Sequence, residues 1–219
     1  MTLPNVTFLD SAIQMPALML PVRSVVVELE QARVLLSPGS KLSAQQLRDA
    51  GPVTDIVAPT LLHTAGMPAA AAAHPNARLW GASGCREKLP TLKWHGVLGV
   101  DPWPHERELV HIPLEGMPQL NESVFLHARS GALLVSDLVF NIADPKGFGS
   151  WLVYSVFGTY GRFAVSRLFL RYVKDRAAFE RSLQRIASLE FDHIVPSHGS
   201  VYSGGAKAKL LEALRERGY

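Results

Sequence analysis

Short runs of branched and apolar residues, separated by turn residues, recur along most of the chain. The segments 24–30 (SVVVELE) and 32–39 (ARVLLSPG) flank a polar break, which predicts a β-hairpin. Runs of this length and composition predict strands rather than helices. The further predicted strands are DIVAPT (55–60), ARLWG (77–81), ELVHIPLEG (108–116), SVFLHARSG (123–131), ALLVSDLVF (132–140) and FDHIVPSHG (191–199).

Helical patterns stand between these strands. Ser43 and Gln46 form a capping-box pattern, and Gly51 is a natural stop for the helix that follows Ser43. The remaining predicted helices are a proline-flanked one at 67–75, apolar stripes from Trp151 to Ile186 (Val165, Leu168, Phe169, Tyr172 and Val173, then Phe179, Leu183 and Ile186) and a last one at 206–218. This order predicts a layered α/β protein with mixed sheets.

Composition narrows the class of protein. The chain has 219 residues, 47% of them hydrophobic, which predicts a single domain over 1–219. A net charge of +3 without a basic run gives no reason to expect nucleic-acid binding. One cysteine, the absence of a basic n-region at the start, and the absence of an apolar run that could span a bilayer together predict a cytoplasmic protein.

Three polar residues stand at the ends of predicted strands. His63 follows DIVAPTLL, Asp137 follows ALLVS, and His198 follows DHIVPS. Sites in α/β folds commonly gather at the carboxyl ends of strands. Two imidazoles and a carboxylate are a suitable ligand set for zinc, iron or manganese, with positions left open for water.

In this order of motifs, from Ser24 to Tyr202, the chain resembles the metallo-β-lactamase superfamily, and more closely its subgroup with a degenerate, DUF4336-type metal motif. The resemblance implies a four-layer αββα sandwich with two mixed β-sheets and outer helices. The family's H-x-H-x-D-H loop falls on APTLLH, where Ala58 and Thr60 replace two histidines, Leu62 replaces the aspartate, and His63 matches.

His63, Asp137 and His198 match three ligands of one metal position in that family, while most ligands of the other position are missing. The resemblance therefore implies one divalent metal ion in a reduced, mononuclear site, and hydrolysis of a small ester, thioester or phosphoester. The family's acidic partner of the attacking water is also lost. Asn121 and Glu122 lie where the family's central histidine loop would be, and they are considered as substrate-binding residues or as a replacement ligand.

Simpler interpretations remain open for each residue. His63 could bond a loop carbonyl, and Asp137 could accept backbone N–H groups at a strand end. The alternative to a metallo-hydrolase is a metal-free, catalytically inactive member of the fold that binds a small ligand or a protein partner in the same cleft.

The segment 151–174 is the most apolar and aromatic part of the chain. As one helix it would carry Arg167, Arg171 and Lys174 on a single face, as in helices that lie on membranes. An outer helix packed on the sheet is the commoner arrangement, so membrane contact is not expected. The resemblance implies a helical insertion at about 146–176, which could form a substrate lid or a homodimer contact.

Overall fold

Two sheets account for most of the strands in the computed structural model, which describes residues 2–16, 18–145 and 147–219. The first sheet has six strands in chain order: β1 (Val6–Gln14), β2 (Met19–Glu28), β3 (Arg33–Leu36), β4 (Asp55–Ala58), β5 (Arg78–Gly81) and β6 (Trp94–Val97). β1, β2 and β3 pair antiparallel, whereas β3 to β6 pair in parallel. The hairpin predicted from the sequence, β2 with β3, is confirmed.

The second sheet is also mixed. Its five strands are β7 (Leu109–Pro113), β8 (Ser123–His127), β9 (Ala132–Val135), β12 (His193–Pro196) and β13 (Tyr202–Ser203). Between β9 and β12 in the chain, β10 (Phe140–Asn141) and β11 (Phe163–Ala164) form a separate two-stranded sheet. The order across the sheet is β13-β12-β9-β8-β7, and β12 runs parallel to β9. The carboxyl ends of these two neighbouring strands therefore lie at one edge of the sheet.

Helices pack on the outer face of each sheet. The helices are α1 (Ala44–Asp49), α2 (Met67–Ala73), α3 (Cys85–Lys88), α4 (Phe148–Phe157), α5 (Arg167–Leu170), α6 (Arg176–Ala187) and α7 (Ala206–Arg215). α1 has the predicted capping box between Ser43 and Gln46, and Gly51 follows it with a φ of +77°.

Alternation along the strands divides the core into three layers of side chains. In β3, Val34 and Leu36 face the space between the sheets, where they join Phe125 and other side chains of the second sheet. Leu35 points to the opposite face and packs with residues of α1 and α2. Side chains of β8, β9 and β12 pack in the same way against α5, α6 and α7. The arrangement is the predicted αββα sandwich.

The apolar segment after Trp151 differs from the prediction of continuous helical stripes. α4 ends at Gly158, which has a φ of +69°, and β11 follows. Ser166 then caps a helix of only four residues, α5. Arg171 is the C-cap of α5 and Lys174 lies beyond it, so the three residues share no continuous helical face, and that part of the prediction is wrong. The predicted insertion at 146–176 contains α4, β11 and α5, and Lys146 lies outside the described residues.

Candidate metal centre

The two sheets bring His63, Asp137 and His198 together at one edge of the sandwich. His63 lies in the loop after β4, Asp137 lies two residues beyond β9, and His198 lies two residues beyond β12. One potential ligand atom from each side chain falls within 4.8 Å of the others. Residues separated by 135 positions in the sequence thus form one cluster because the strand ends converge.

The carboxylate of Asp137 lies between the two imidazoles. Its Oδ1 is 3.3 Å from His198 Nε2, and its Oδ2 is 3.5 Å from His63 Nε2. Oδ2 is buried and has no hydrogen-bond partner among the described residues, since the 3.5 Å contact is only an ion-pair distance. Burial raises the pKa of Asp137, but the charge of His63 and the close contact with His198 lower it by more, so the pKa lies well below its usual range.

The ring of His198 is held on two sides. Its Nδ1 lies 2.8 Å from the carbonyl oxygen of Pro21, to which it can only donate, so Nε2 keeps its lone pair when the ring is neutral. The ring of Phe140 stacks on the imidazole with centroids 4.9 Å apart. Gly199 follows with a φ of +106°, and a Cβ there would lie 2.1 Å from the carbonyl oxygen of Asn141. The sharp turn expected after His198 therefore requires glycine.

The ring of His63 is held by a hydroxyl group. Its Nδ1 lies 2.5 Å from Oγ of Ser37, the residue directly after β3. Ser197 donates to the same Ser37 hydroxyl at 3.5 Å. The two imidazoles meet edge to face with centroids 5.2 Å apart. Ser37 and Ser197 thus connect the loops that carry the two histidines, one from each sheet.

Glu122 lies beneath the loop that carries Asp137 and is 1% exposed. Its carboxyl oxygens accept hydrogen bonds from the backbone N–H groups of Ser136, Asp137 and Leu138 at 3.0 to 3.2 Å. Burial, and then the charge of Asp137, raise the pKa of Glu122 to about 8. These contacts position the Asp137 backbone, and Glu122 is not one of the residues that converge on the potential metal position.

Asn121, the other substrate-binding candidate, has a φ of +48° and donates from Nδ2 to the carbonyl oxygen of Ser83 at 2.9 Å. It is not among the residues that line the cavity beside the His63, Asp137 and His198 cluster. A role for Asn121 or Glu122 in substrate binding stays a prediction.

The residues at the lost ligand positions have other structural roles. Ala58 ends β4 and is fully buried. Thr60 is also buried, and its hydroxyl donates to the carbonyl oxygen of Leu120 at 3.1 Å. Leu62, at the position of the family's aspartate, is 52% exposed at the wall of the cavity. At this edge of the sandwich the chain therefore has apolar and hydroxyl side chains at the positions where the metallo-β-lactamase superfamily, which it resembles, has metal ligands.

A cavity of about 190 Å³ opens beside the three residues. Its walls are mostly apolar or small, and its titratable lining residues in the described part of the chain are His63, Asp137 and His198. This volume is below the roughly 300–1,000 Å³ of pockets that hold drug-sized ligands. The other lining residues are Ile13, Leu20, Val22, Ser37, Pro38, Gly39, Ser40, Leu62, Ala65 and Gly66.

The residues around the cluster fit a divalent metal ion. Two imidazole nitrogens and a carboxylate oxygen converge, and each ring is oriented through its other nitrogen, as is usual for histidine ligands. The buried, unsatisfied Oδ2 of Asp137 is the atom that most needs a cationic partner. Ser37, Phe140 and the Pro21 carbonyl were not identified from the sequence, because only the folded chain brings them to the histidines.

No protein-family model matches the chain, and no curated protein sequence does. Solved structures do match. A metallo-β-lactamase from Pontibacter korlensis is 14% identical and aligns over 97% of this chain and 95% of that one, with a TM-score of 0.67. FIM-1 from Pseudomonas aeruginosa, solved in its mono-zinc form, is 17% identical over 98% of this chain and 92% of its own, with a TM-score of 0.65.

A further similar structure is the metal-soaked Flv1 flavodiiron core from Synechocystis sp. PCC6803, with 12% identity and a TM-score of 0.68. The alignment covers 98% of this chain but only 59% of that longer one. Together these structures show that the chain has the metallo-β-lactamase fold, as the sequence predicts.

Proposed function

We propose that this chain is a metallo-hydrolase-like protein that holds one divalent metal ion through His63, Asp137 and His198. The observation that carries the proposal is the convergence of these three side chains around a buried carboxylate oxygen without a hydrogen-bond partner among the described residues. A buried charge of this kind is normally paired or bound to a metal. Zinc, iron and manganese all suit two imidazoles and a carboxylate.

A metal ion bound here would act as a Lewis acid and lower the pKa of a bound water molecule. The protein's own residues have simpler roles. Asp137 supplies the negative charge, and Pro21 and Ser37 keep the rings of His198 and His63 oriented toward it. Phe140 covers the face of His198 and limits the access of water on that side.

The lining of the cavity supports a neutral substrate. No lysine or arginine of the described residues lines it, although a phosphate group is usually bound by such side chains. Ile13, Leu20 and Leu62 instead present apolar walls. Among the candidate reactions, hydrolysis of a small carboxylic ester or thioester therefore has more support than hydrolysis of a phosphoester.

We assign the chain, on its motif, to the subgroup of metallo-β-lactamase-like proteins with a degenerate, DUF4336-type metal loop. The support is the combination of the fold with Ala58, Thr60 and Leu62 at the lost ligand positions.

Elemental analysis of protein purified without chelator or metal-capturing tag tests the metal site. We expect one zinc, iron or manganese ion per chain in the parent, and its loss in His63→Ala and in His198→Ala. His193→Ala is a matched control, because His193 lies on β12 and bonds Ser203 instead. Parent protein that stays metal-free after incubation with each ion would contradict the proposal, as would metal retained in both site variants.

A second candidate function is binding of a small neutral ligand without catalysis. The observation in its favour is Leu62, which replaces the family's acidic residue and leaves Asp137 as the one carboxylate among the described lining residues. Metal-loaded protein that hydrolyses no ester or thioester, yet gains thermal stability with the intact ester or the corresponding alcohol, would support binding over catalysis.

A further inference from the structure

α4 carries an exposed apolar face at the surface of the sandwich. The side chains on this face are spaced three and four residues apart, with exposures of 75%, 46%, 47% and 58% for Phe148, Trp151, Leu152 and Val156. On the opposite side of the helix, Tyr154 is buried and donates from its hydroxyl to the carbonyl oxygen of Met19 at 3.3 Å. Met19 is itself 59% exposed and extends the apolar surface.

The charge around this face is mostly positive. No aspartate or glutamate occurs between Asp144 and Asp175, whereas lysine and arginine do. At the C-terminal end of α4, Arg217 donates to the carbonyl oxygen of Gly158 at 2.8 Å, and Arg167 approaches the same glycine. Burial, followed by the charges of Arg167 and Arg162, lowers the pKa of Arg217. Arg162, Arg167 and Arg217 thus lie near one another at this end of α4, and Glu216, which is paired with Arg162, offsets one of their charges.

We propose that α4 docks the protein on an anionic lipid bilayer, with its apolar face in the boundary between headgroups and acyl chains. The arginines at the end of α4 would then contact lipid phosphates, whose charge is opposite to the excess of positive charge at this end of the helix. Aromatic and apolar side chains next to cationic ones are the pattern of helices that lie in a membrane interface. Among the described residues no helix is long and apolar enough to cross a membrane, so α4 would lie along the surface.

A second copy of the chain fits this face less well. A symmetric contact through α4 would bury the apolar side chains of both copies, but it would offer the arginines at the end of each helix only a second surface that is itself mostly positive. A lipid surface complements both the apolar and the cationic part of the patch.

The docking face and the cavity share a structural wall. Leu18, Ile142 and Tyr154 form a small core cluster, against which Leu20 and Phe140 pack. Leu20 also lines the cavity, and Phe140 stacks on His198. A protein held on a bilayer by α4 therefore has its candidate site next to the membrane, although the docking proposal itself requires no metal.

Co-sedimentation of the full chain with phosphatidylcholine vesicles, with and without phosphatidylglycerol, tests the proposal. We expect the parent to sediment with the vesicles that contain phosphatidylglycerol. The double variant Phe148→Ser/Trp151→Ser should lower the partition coefficient by roughly tenfold or more, because two large apolar side chains no longer leave water. Arg167→Glu, and salt at about 1 M, which shortens the Debye length to about 3 Å, should weaken binding as well.

Val100→Ser and Arg107→Glu are the matched controls, because both side chains are exposed and lie outside α4 and the arginine cluster. They should sediment like the parent, and circular dichroism should show every variant folded. Parent protein that stays in the supernatant with both vesicle types overturns the proposal, and so does a folded double variant that sediments like the parent. A dimer that the double variant dissociates, without vesicle binding by the parent, would assign the face to a second copy instead.

Discussion

The two histidines of the candidate metal centre are oriented by different kinds of hydrogen-bond partner. His198 bonds a backbone carbonyl, which a side-chain substitution cannot remove, whereas His63 bonds the hydroxyl of Ser37. The orientation of His63 therefore depends on one replaceable side chain. Removing the hydrogen-bond partner of a histidine ligand typically weakens metal binding by about tenfold to a hundredfold.

Ser37→Ala should weaken metal binding without removing a ligand. The lost contact to His63 Nδ1 lets the ring rotate, and we expect the dissociation constant of the metal to rise by about tenfold to a hundredfold. Competition against a chromophoric chelator measures this constant. Ser40→Ala is the control, because Ser40 lines the same cavity and should leave the constant unchanged. An equal effect of both substitutions would argue against a positioning role for Ser37.

At the scale of elements, the sequence predicted best those helices and strands whose ends are marked by capping or turn residues. Ser43, Gln46 and Gly51 define both ends of α1 without help from the rest of the fold. The segment after Trp151 was predicted less well, because its apolar residues suit both a continuous helix and the observed helix, strand and short helix. Packing of Phe163 and Phe169 into the core of the second sheet decides between these arrangements, and the sequence pattern does not contain that information.

The candidate site was predictable to a similar, partial extent. The three converging residues follow from strand ends and from the resemblance, since each motif lies next to a recognisable strand. Their partners could not be predicted, because Ser37, Pro21 and Phe140 reach the histidines only through the approach of one sheet to the other. The contacts of Glu122 with the backbone of the Asp137 loop have the same origin.

The turn after β12 gives a prediction about how an element positions a ligand. Gly199→Ala should destabilise the fold and weaken metal binding, because the new Cβ would lie 2.1 Å from a backbone oxygen and must displace the loop that carries His198. Gly204→Ala is a matched control, since Gly204 has a φ of +81° but open space around it. It should cost only about 1 kcal/mol of backbone strain and leave metal binding intact.

Urea unfolding and chelator competition, carried out on both glycine variants, separate strain from displacement. If Gly204→Ala were as destabilising as Gly199→Ala and also lost metal, the close approach of Gly199 to Asn141 would not explain the result. A loss confined to Gly199→Ala would show that the turn itself orients His198.

The whole molecule has a buried carboxylate near each end of the sandwich. Asp55, at the start of β4, is fully buried and accepts hydrogen bonds from Arg78, Trp80 and Thr54, with His105 Nε2 3.0 Å away. Asp137, at the opposite strand ends, retains an unsatisfied oxygen within the described part of the chain. Because, among the described residues, the Asp55 carboxylate is fully hydrogen-bonded and the Asp137 carboxylate is not, we expect the Asp55 end to stabilise the fold and the Asp137 end to bind a ligand.

Burial raises the pKa of Asp55, but hydrogen bonds from His105, Arg78, Trp80 and Thr54 lower it more, so its pKa lies below the ordinary value of 3.8. A carboxyl group whose pKa is lower in the folded than in the unfolded protein stabilises the folded state at pH values above its unfolded-state pKa. This contribution is lost as the pH falls below about 4 and the folded carboxylate takes up its proton. Acid should therefore weaken the Asp55 end of the sandwich.

Asp55→Asn should consequently act mainly on the free energy of unfolding, whereas Asp137→Asn should act mainly on metal binding. At pH 7 we expect Asp55→Asn to lower the free energy of unfolding by about 2–4 kcal/mol and to keep its metal, because it breaks a satisfied ionic network far from the site. Asp137→Asn should lose the metal, while the metal-free protein loses less stability than Asp55→Asn does. Urea unfolding in the presence of chelator and elemental analysis provide the two measurements, with the exposed Asp101→Asn as the control.

The stability difference between the parent and Asp55→Asn should shrink as the pH falls below about 4. A difference that stayed constant down to acid pH would mean that the charge of Asp55 contributes little, and loss of metal from Asp55→Asn would mean that the two ends are not independent.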